Sequence, residues 1–160
     1  MRARITIFFI VIILGFMIFR FAFFSNTTEY TNFHTINNSE WLLSDTATFY
    51  FSNRNTNLNN HNIVFYGKIN QEYSYANLYL FIDVYLEQMR IKRDTLNCVL
   101  YDSFGKPKQK NIGNTQFFSI DYVNTFKFET GKDYKFQIIH GMRDLNLSGV
   151  EKIGIKINKH

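Results

Sequence analysis

The sequence of 160 residues contains one cysteine and one proline, and no phosphate-binding loop, dinucleotide fingerprint or Gly-x-Ser-x-Gly elbow. Each absence excludes something. A lone Cys98 permits no intramolecular disulfide and no multi-cysteine metal site. Its place in the alternation Leu96, Cys98, Leu100 marks it as a small buried hydrophobe. The four histidines, His34, His61, His140 and His160, show neither His-x-His nor His-Glu-x-x-His spacing, which leaves a preformed metal centre without ligands in register. The aspartates Asp83, Asp94, Asp102 and Asp121 carry no spacing that pairs two carboxylates for acid–base work. Nothing here reads as an enzyme or calls for a cofactor.

A concentrated basic stripe is missing too. The formal charge is +5, but Arg2, Arg4 and Arg20 fall in an apolar leader, so the remainder is only mildly basic. Nucleic acid is therefore excluded as a partner, and Arg90, Lys92, Arg93 and Lys106, Lys108, Lys110 read as solvated surface.

What the chain has in quantity is aromatic residues, with 18 Phe and 10 Tyr, and one long apolar run. Ile5 to Phe19 carries no charge, Arg20 interrupts, and Phe21 to Phe24 continues the run. With Arg20 reaching towards the interface, a helix from Ile5 to Phe24 spans the ~30 Å of a bilayer core at about 1.5 Å per residue. Bulky residues around Phe21–Ser25 disfavour signal-peptidase cleavage. Arg2 and Arg4 keep the N-terminus cytoplasmic and send the rest across the membrane. The expected organisation is a signal anchor or signal peptide over 1–25, a polar tether over 26–40 and one domain over 41–160.

The domain reads as strands. Leu78, Leu80, Ile82, Val84 and Leu86 take every second position, and Tyr79, Phe81, Asp83, Tyr85 and Glu87 the alternate ones, a period that would scatter round a helix. Thr46–Phe51, His61–Ile69, Ile91–Tyr101, Thr115–Ile120, Tyr122–Glu129, Tyr134–Ile139 and Ile153–Asn158 give further extended stretches. Asp102-Ser-Phe-Gly105 and Gly131 supply turn chemistry, while the Asn-rich segment from Asn53 to Asn62 reads as a loop. Seven or eight short strands without an amphipathic helix predict an all-β antiparallel sandwich behind the N-terminal helix, a small closed barrel being the alternative.

Tyr79, Phe81 and Tyr85 lie on the wetter face of the clearest strand, and His140 and Arg143 flank a turn in His140-Gly-Met-Arg143-Asp144. These five residues form the candidate interaction surface. Exposed aromatics suit a protein partner or, alternatively, a glycan or peptide held by a tethered module. No free small molecule is expected.

Residues 30–158 resemble the gliding-motility lipoprotein family GldH of Bacteroidetes-type bacteria. The resemblance is carried, in order, by Trp41, Tyr75-Ala-Asn-Leu-Tyr-Leu-Phe-Ile82, Arg93-Asp-Thr-Leu96, Leu100-Tyr-Asp102 with Gly105-Lys106, and Gly113. It continues through Phe126-Lys-Phe128, Gly131, Tyr134-Lys-Phe136, His140-Gly-Met-Arg143, Leu147-Ser-Gly-Val150 and Ile153-Gly-Ile155. It implies an extracytoplasmic, non-catalytic protein that works with other envelope proteins of a gliding or allied secretion apparatus. In the family a leader ends in a lipobox whose cysteine is acylated. Here Ser25-Asn26 stands at that place, and a serine hydroxyl cannot form the thioether. The expectation is thus an uncleaved helical anchor at the inner membrane with the domain in the periplasm, outer-membrane attachment staying open.

Overall fold

The computed structural model describes residues 27–54, 60–109 and 111–159. The expected N-terminal helix, with Ile5, Phe24 and Ser25, lies outside the described residues. Within them the chain forms eleven strands. They are β1 (Thr27–Thr35), β2 (Glu40–Leu42), β3 (Ala47–Ser52), β4 (Asn60–Ile69), β5 (Asn77–Leu86), β6 (Met89–Val99), β7 (Asn111–Ile112), β8 (Thr115–Lys127), β9 (Asp133–His140), β10 (Asn146–Ser148) and β11 (Val150–Lys159). A single 3-10 turn, Asn37–Ser39, precedes β2.

Two antiparallel sheets carry the architecture, one in the order β1-β11-β4-β8-β7 and the other β3-β9-β5-β6, with a small β10-β2 ladder beside them. When the short β2, β7 and β10 are set aside, the eight long strands cross from sheet to sheet at every connection except the β5–β6 hairpin. That winding is a jelly roll, an antiparallel sandwich of the predicted class.

The period-two patterns do the sorting. Ala47, Phe49, Phe51, Leu78, Leu80, Ile82, Val84, Phe136 and Ile138 are buried from one sheet, and Ile63, Phe65, Ile153, Ile155 and Ile157 from the other. Each of the larger side chains contributes about 1.5–3 kcal/mol on leaving water, and Ala47 less, so the facing columns hold the sheets together. Trp41 is completely buried and its indole donates to the Asp45 carbonyl at 2.9 Å. Cys98 is also fully buried, opposite Leu78 on the adjoining strand. The turns at Gly105 and Gly131 adopt left-handed φ values of 75° and 74°.

Three segments differ from the sequence expectation. The tether over 26–40 is largely strand: β1 pairs with β11 from Thr27↔Lys159 to Thr35↔Lys152, so the sheet takes in most of this segment. A polar edge strand has half its residues facing water, which is why it resembled a linker. The Asn-rich loop gives up Asn60–Asn62 to β4. The two stretches from Thr115 to Glu129 are one strand, β8, opposite register shifts in β4 between His61 and Val64.

Candidate functional site

The register of β5 between β9 and β6 sets the outer face of the four-stranded sheet. Tyr79, Phe81, Asp83 and Tyr85 point outward there, opposite Asn97, Thr95, Arg93 and Arg90 on β6. Tyr79 and Phe81 are 39% and 45% exposed, enough for their rings to meet a partner. Tyr85 is half-buried, and the Lys135 ammonium sits 4.0 Å from its ring centroid, so this ring already holds a cation. The charges on this face are largely matched. Asp83 accepts two hydrogen bonds of 2.7 Å from the Arg93 guanidinium, with Arg90 at 3.6 Å. The Arg93 hydrogen bond holds the Asp83 carboxyl below its usual range against the opposing effect of burial.

His140 does not join this surface. It continues the inward column Tyr134, Phe136, Ile138, is fully buried, and meets Trp41 edge-on at 5.5 Å. Burial lowers its pKa from 6.5, with the Trp41 backbone and the Asp144 carboxylate pulling the other way with less effect. Neither ring nitrogen has a hydrogen-bond partner among the described residues. A histidine sealed against an indole can neither reach a substrate nor relay a proton to one.

Arg143 does join it. Where β9 ends, the chain turns over the β5 edge, and Gly141 donates to the Tyr79 carbonyl at 2.7 Å. Met142 covers the Tyr79 amide with its sulfur at 3.3 Å. Tyr75, Tyr79, Gly141, Met142 and Arg143 line a hollow of about 340 Å³. Tyr75 donates to the Asp144 carboxylate at 2.6 Å, which fixes the far wall. Sequence reading found Tyr79 and Arg143 but missed Tyr75, Gly141 and Met142, whose meeting depends on where β9 stops relative to β5.

A second exposed group lies at one end of the sandwich. Leu42, Leu43 and Leu145 are 42%, 41% and 71% exposed and border an open groove, with Leu43 donating its amide to the Leu145 carbonyl at 2.8 Å. Phe104, 93% exposed, and Ile112 stand at the same end. The register places Thr27 at the other, beside Lys159 and His61. Among the described residues no three His, Cys, Asp or Glu side chains are arranged to hold a metal ion.

The model of the GldH lipoprotein family matches residues 28–157, which spans both sheets and the hollow. The chain belongs to the GldH lipoprotein family. It thus joins a non-enzymatic accessory family of gliding-motility-associated lipoproteins of the cell envelope. No curated protein matches it. Among solved structures it is similar to the Bacillus thuringiensis delta-endotoxin Cry8Ea1, at 11% identity and a TM-score of 0.40, over 76% of this chain and 19% of the endotoxin. A carbohydrate-binding module CBM36 in complex with calcium and xylotriose gives 13% identity and 0.38, over 81% of this chain and 92% of the module. Dimeric latent PorU from Porphyromonas gingivalis gives 13% and 0.33, over 83% of this chain and 13% of PorU. At scores this low none of them bears on what this GldH-family chain binds.

Proposed function

We propose that this GldH-family chain is an envelope accessory protein of a gliding or allied secretion apparatus, held at the inner membrane by an uncleaved N-terminal helix and acting through protein contacts. The observation that carries this reading is the polarity of the sandwich. The chain enters at Thr27, while Leu42, Leu43, Phe104, Ile112 and Leu145 are exposed together at the opposite end. One strand of nine residues, at about 3.3 Å each, already separates the two ends by roughly 25 Å. An apolar end held that far from an anchor is available to a periplasmic protein rather than to the bilayer.

The anchor follows from chemistry. Lipid attachment needs an accessible thiol, and Cys98 is sealed in the core, where burial pushes its pKa up to about 12. The apolar run from Ile5 to Phe24 takes over that task, and insertion of a helix is far stronger than one acyl chain.

Chemical crosslinking and affinity purification of the full chain from native membranes test both parts. The expected result is co-purification with one or more envelope proteins, and an intact mass that retains Met1–Phe24 without acyl groups. Recovery of the protein alone under gentle extraction contradicts the assembly role, and a cleaved or acylated N-terminus contradicts the helical anchor.

A further inference from the structure

The hollow beside Tyr79 shares no lining residue with the neighbouring groove of Leu42, Leu43 and Leu145, and has its own chemistry. Phe81 lies across Gly141: a Cβ built on Gly141 would come within 3.1 Å of the ring's Cε2 and Cζ, and within 3.3 Å of the Tyr79 Cβ. A side chain at position 141 would push against the ring, which would have to give way slightly. With glycine there, the partly exposed Phe81 ring lies against the backbone beside the hollow and can serve as a stacking platform. Tyr79 forms the wall, and Arg143, exposed and without an ion pair among the described residues, stands at the rim.

We propose that this hollow binds an acidic glycan, taking one sugar ring against Tyr79 and Phe81 and its carboxylate on Arg143. Sugar rings present an apolar C–H face that packs on aromatic side chains, and a guanidinium pairs with a carboxylate through two parallel N–H donors. The neighbouring side chains add hydrogen-bonding groups, and the nearby carboxylates are engaged: Asn77 donates to Asn97 at 2.9 Å, Asp83 is occupied by Arg93, and Asp144 on the far wall accepts from the Tyr75 hydroxyl at 2.6 Å. Peptide capture by strand addition is disfavoured at this place. β5 is flanked on both sides by β9 and β6, and the Tyr79 amide left beyond the end of β9 is covered by Met142, so a peptide main chain finds no open ladder. This inference does not rest on the protein-contact reading, which uses the aliphatic groove of Leu42, Leu43 and Leu145 at the same end of the sandwich and none of the hollow's lining residues.

Isothermal titration of the full chain, in a zwitterionic detergent without a sugar headgroup, separates the outcomes. The probes are hexagalacturonate, the uncharged cellohexaose, and an acidic hexapeptide. The expected result is binding of hexagalacturonate, with cellohexaose about tenfold weaker or more, as the loss of one charge-assisted contact implies. Arg143→Gln abolishes the difference between the two sugars, and Tyr79→Ala weakens both by about tenfold, while the thermal transition and the fluorescence of buried Trp41 stay unchanged. Absence of binding by either sugar overturns the proposal. So does equal binding of the two sugars by the unaltered protein, or tighter binding of the peptide. Should Tyr79→Ala unfold the chain, Arg143→Gln, on an exposed side chain, keeps the test decisive.

Discussion

At the Thr27 end, aromatic rings close the space between the sheets, whereas at the opposite end loops present aliphatic side chains to water. Near Thr27 the Phe128 ring packs against Phe51 and Phe126 at 4.6 Å, Tyr134 at 4.7 Å and His61 at 5.0 Å. The turn before β9 is stitched down as well. Gly131 donates to the Asn53 carbonyl at 2.7 Å, and buried Asn53 donates its side-chain amide to the Phe128 carbonyl at 3.1 Å. A bulge at Glu29 between Thr28 and Tyr30 turns that carboxylate onto His61 at 2.7 Å, tying the entering strand to β4. The far end has its own firm floor in Trp41, yet above it Leu42, Leu43 and Leu145 stay exposed. One end is closed and firmly packed where the described chain begins, and the other leaves apolar surface exposed, as the proposed anchor and contact roles require.

That contrast can be broken in stages. Phe128→Ala removes the hub of the near-end cluster and is expected to lower stability by about 3–5 kcal/mol, read as a fall in the urea midpoint at unchanged slope. A loss below about 1 kcal/mol would mean that the near end is not the firm one. At the far end, Gly149→Ala is expected to cost about 1–3 kcal/mol in backbone strain alone. Gly149 has a φ of 86°, and an added Cβ would lie 2.2 Å from the Tyr73 amide nitrogen. Thermal melting with little change would show that the floor under the exposed leucines yields easily.

His140 gives the floor a pH dependence. Its folded pKa lies below 6.5, so below that pH the unfolded chain binds more protons than the folded one, and stability falls as pH drops. His140→Leu should flatten this part of the profile between neutral and mildly acidic pH, measured by urea titration. An unchanged slope would contradict the sealed, neutral imidazole. The smallest effect on stability is expected for the double variant Leu42→Ser, Leu145→Ser, within about 0.5 kcal/mol, since both side chains are exposed. The same variant should lose its envelope partner in co-purification.

The sequence made the buried columns legible because their signal is local. Leu78 to Val84 and Ile153 to Ile157 alternate strictly, and Cys98 inherits its burial from the same period. Edge strands carry less signal, because one flank pairs with nothing and tolerates polar residues. Tyr30 faces inward while Phe33 lies outward at 52% exposure, so an apparent spacing of three hid the two-residue period of β1. The inward direction of His140 was available from its parity with Tyr134, Phe136 and Ile138, but a turn-like Gly-Met-Arg sequence drew it to the surface. The hollow depended on a long-range fact, that β9 ends opposite Leu80 and leaves the Tyr79 amide to Met142. No local pattern encodes that.

The contrast between the two ends is tested most directly by a photo-crosslinking amino acid placed either at Leu145 or at Met89, in the full chain in native membranes. Both positions are exposed, at 71% and 66%, and they lie at opposite ends of the sandwich. The expected result is a crosslink to another envelope protein from position 145 and none from position 89. Crosslinking from position 89 alone would contradict the assignment of the far end as the contact surface.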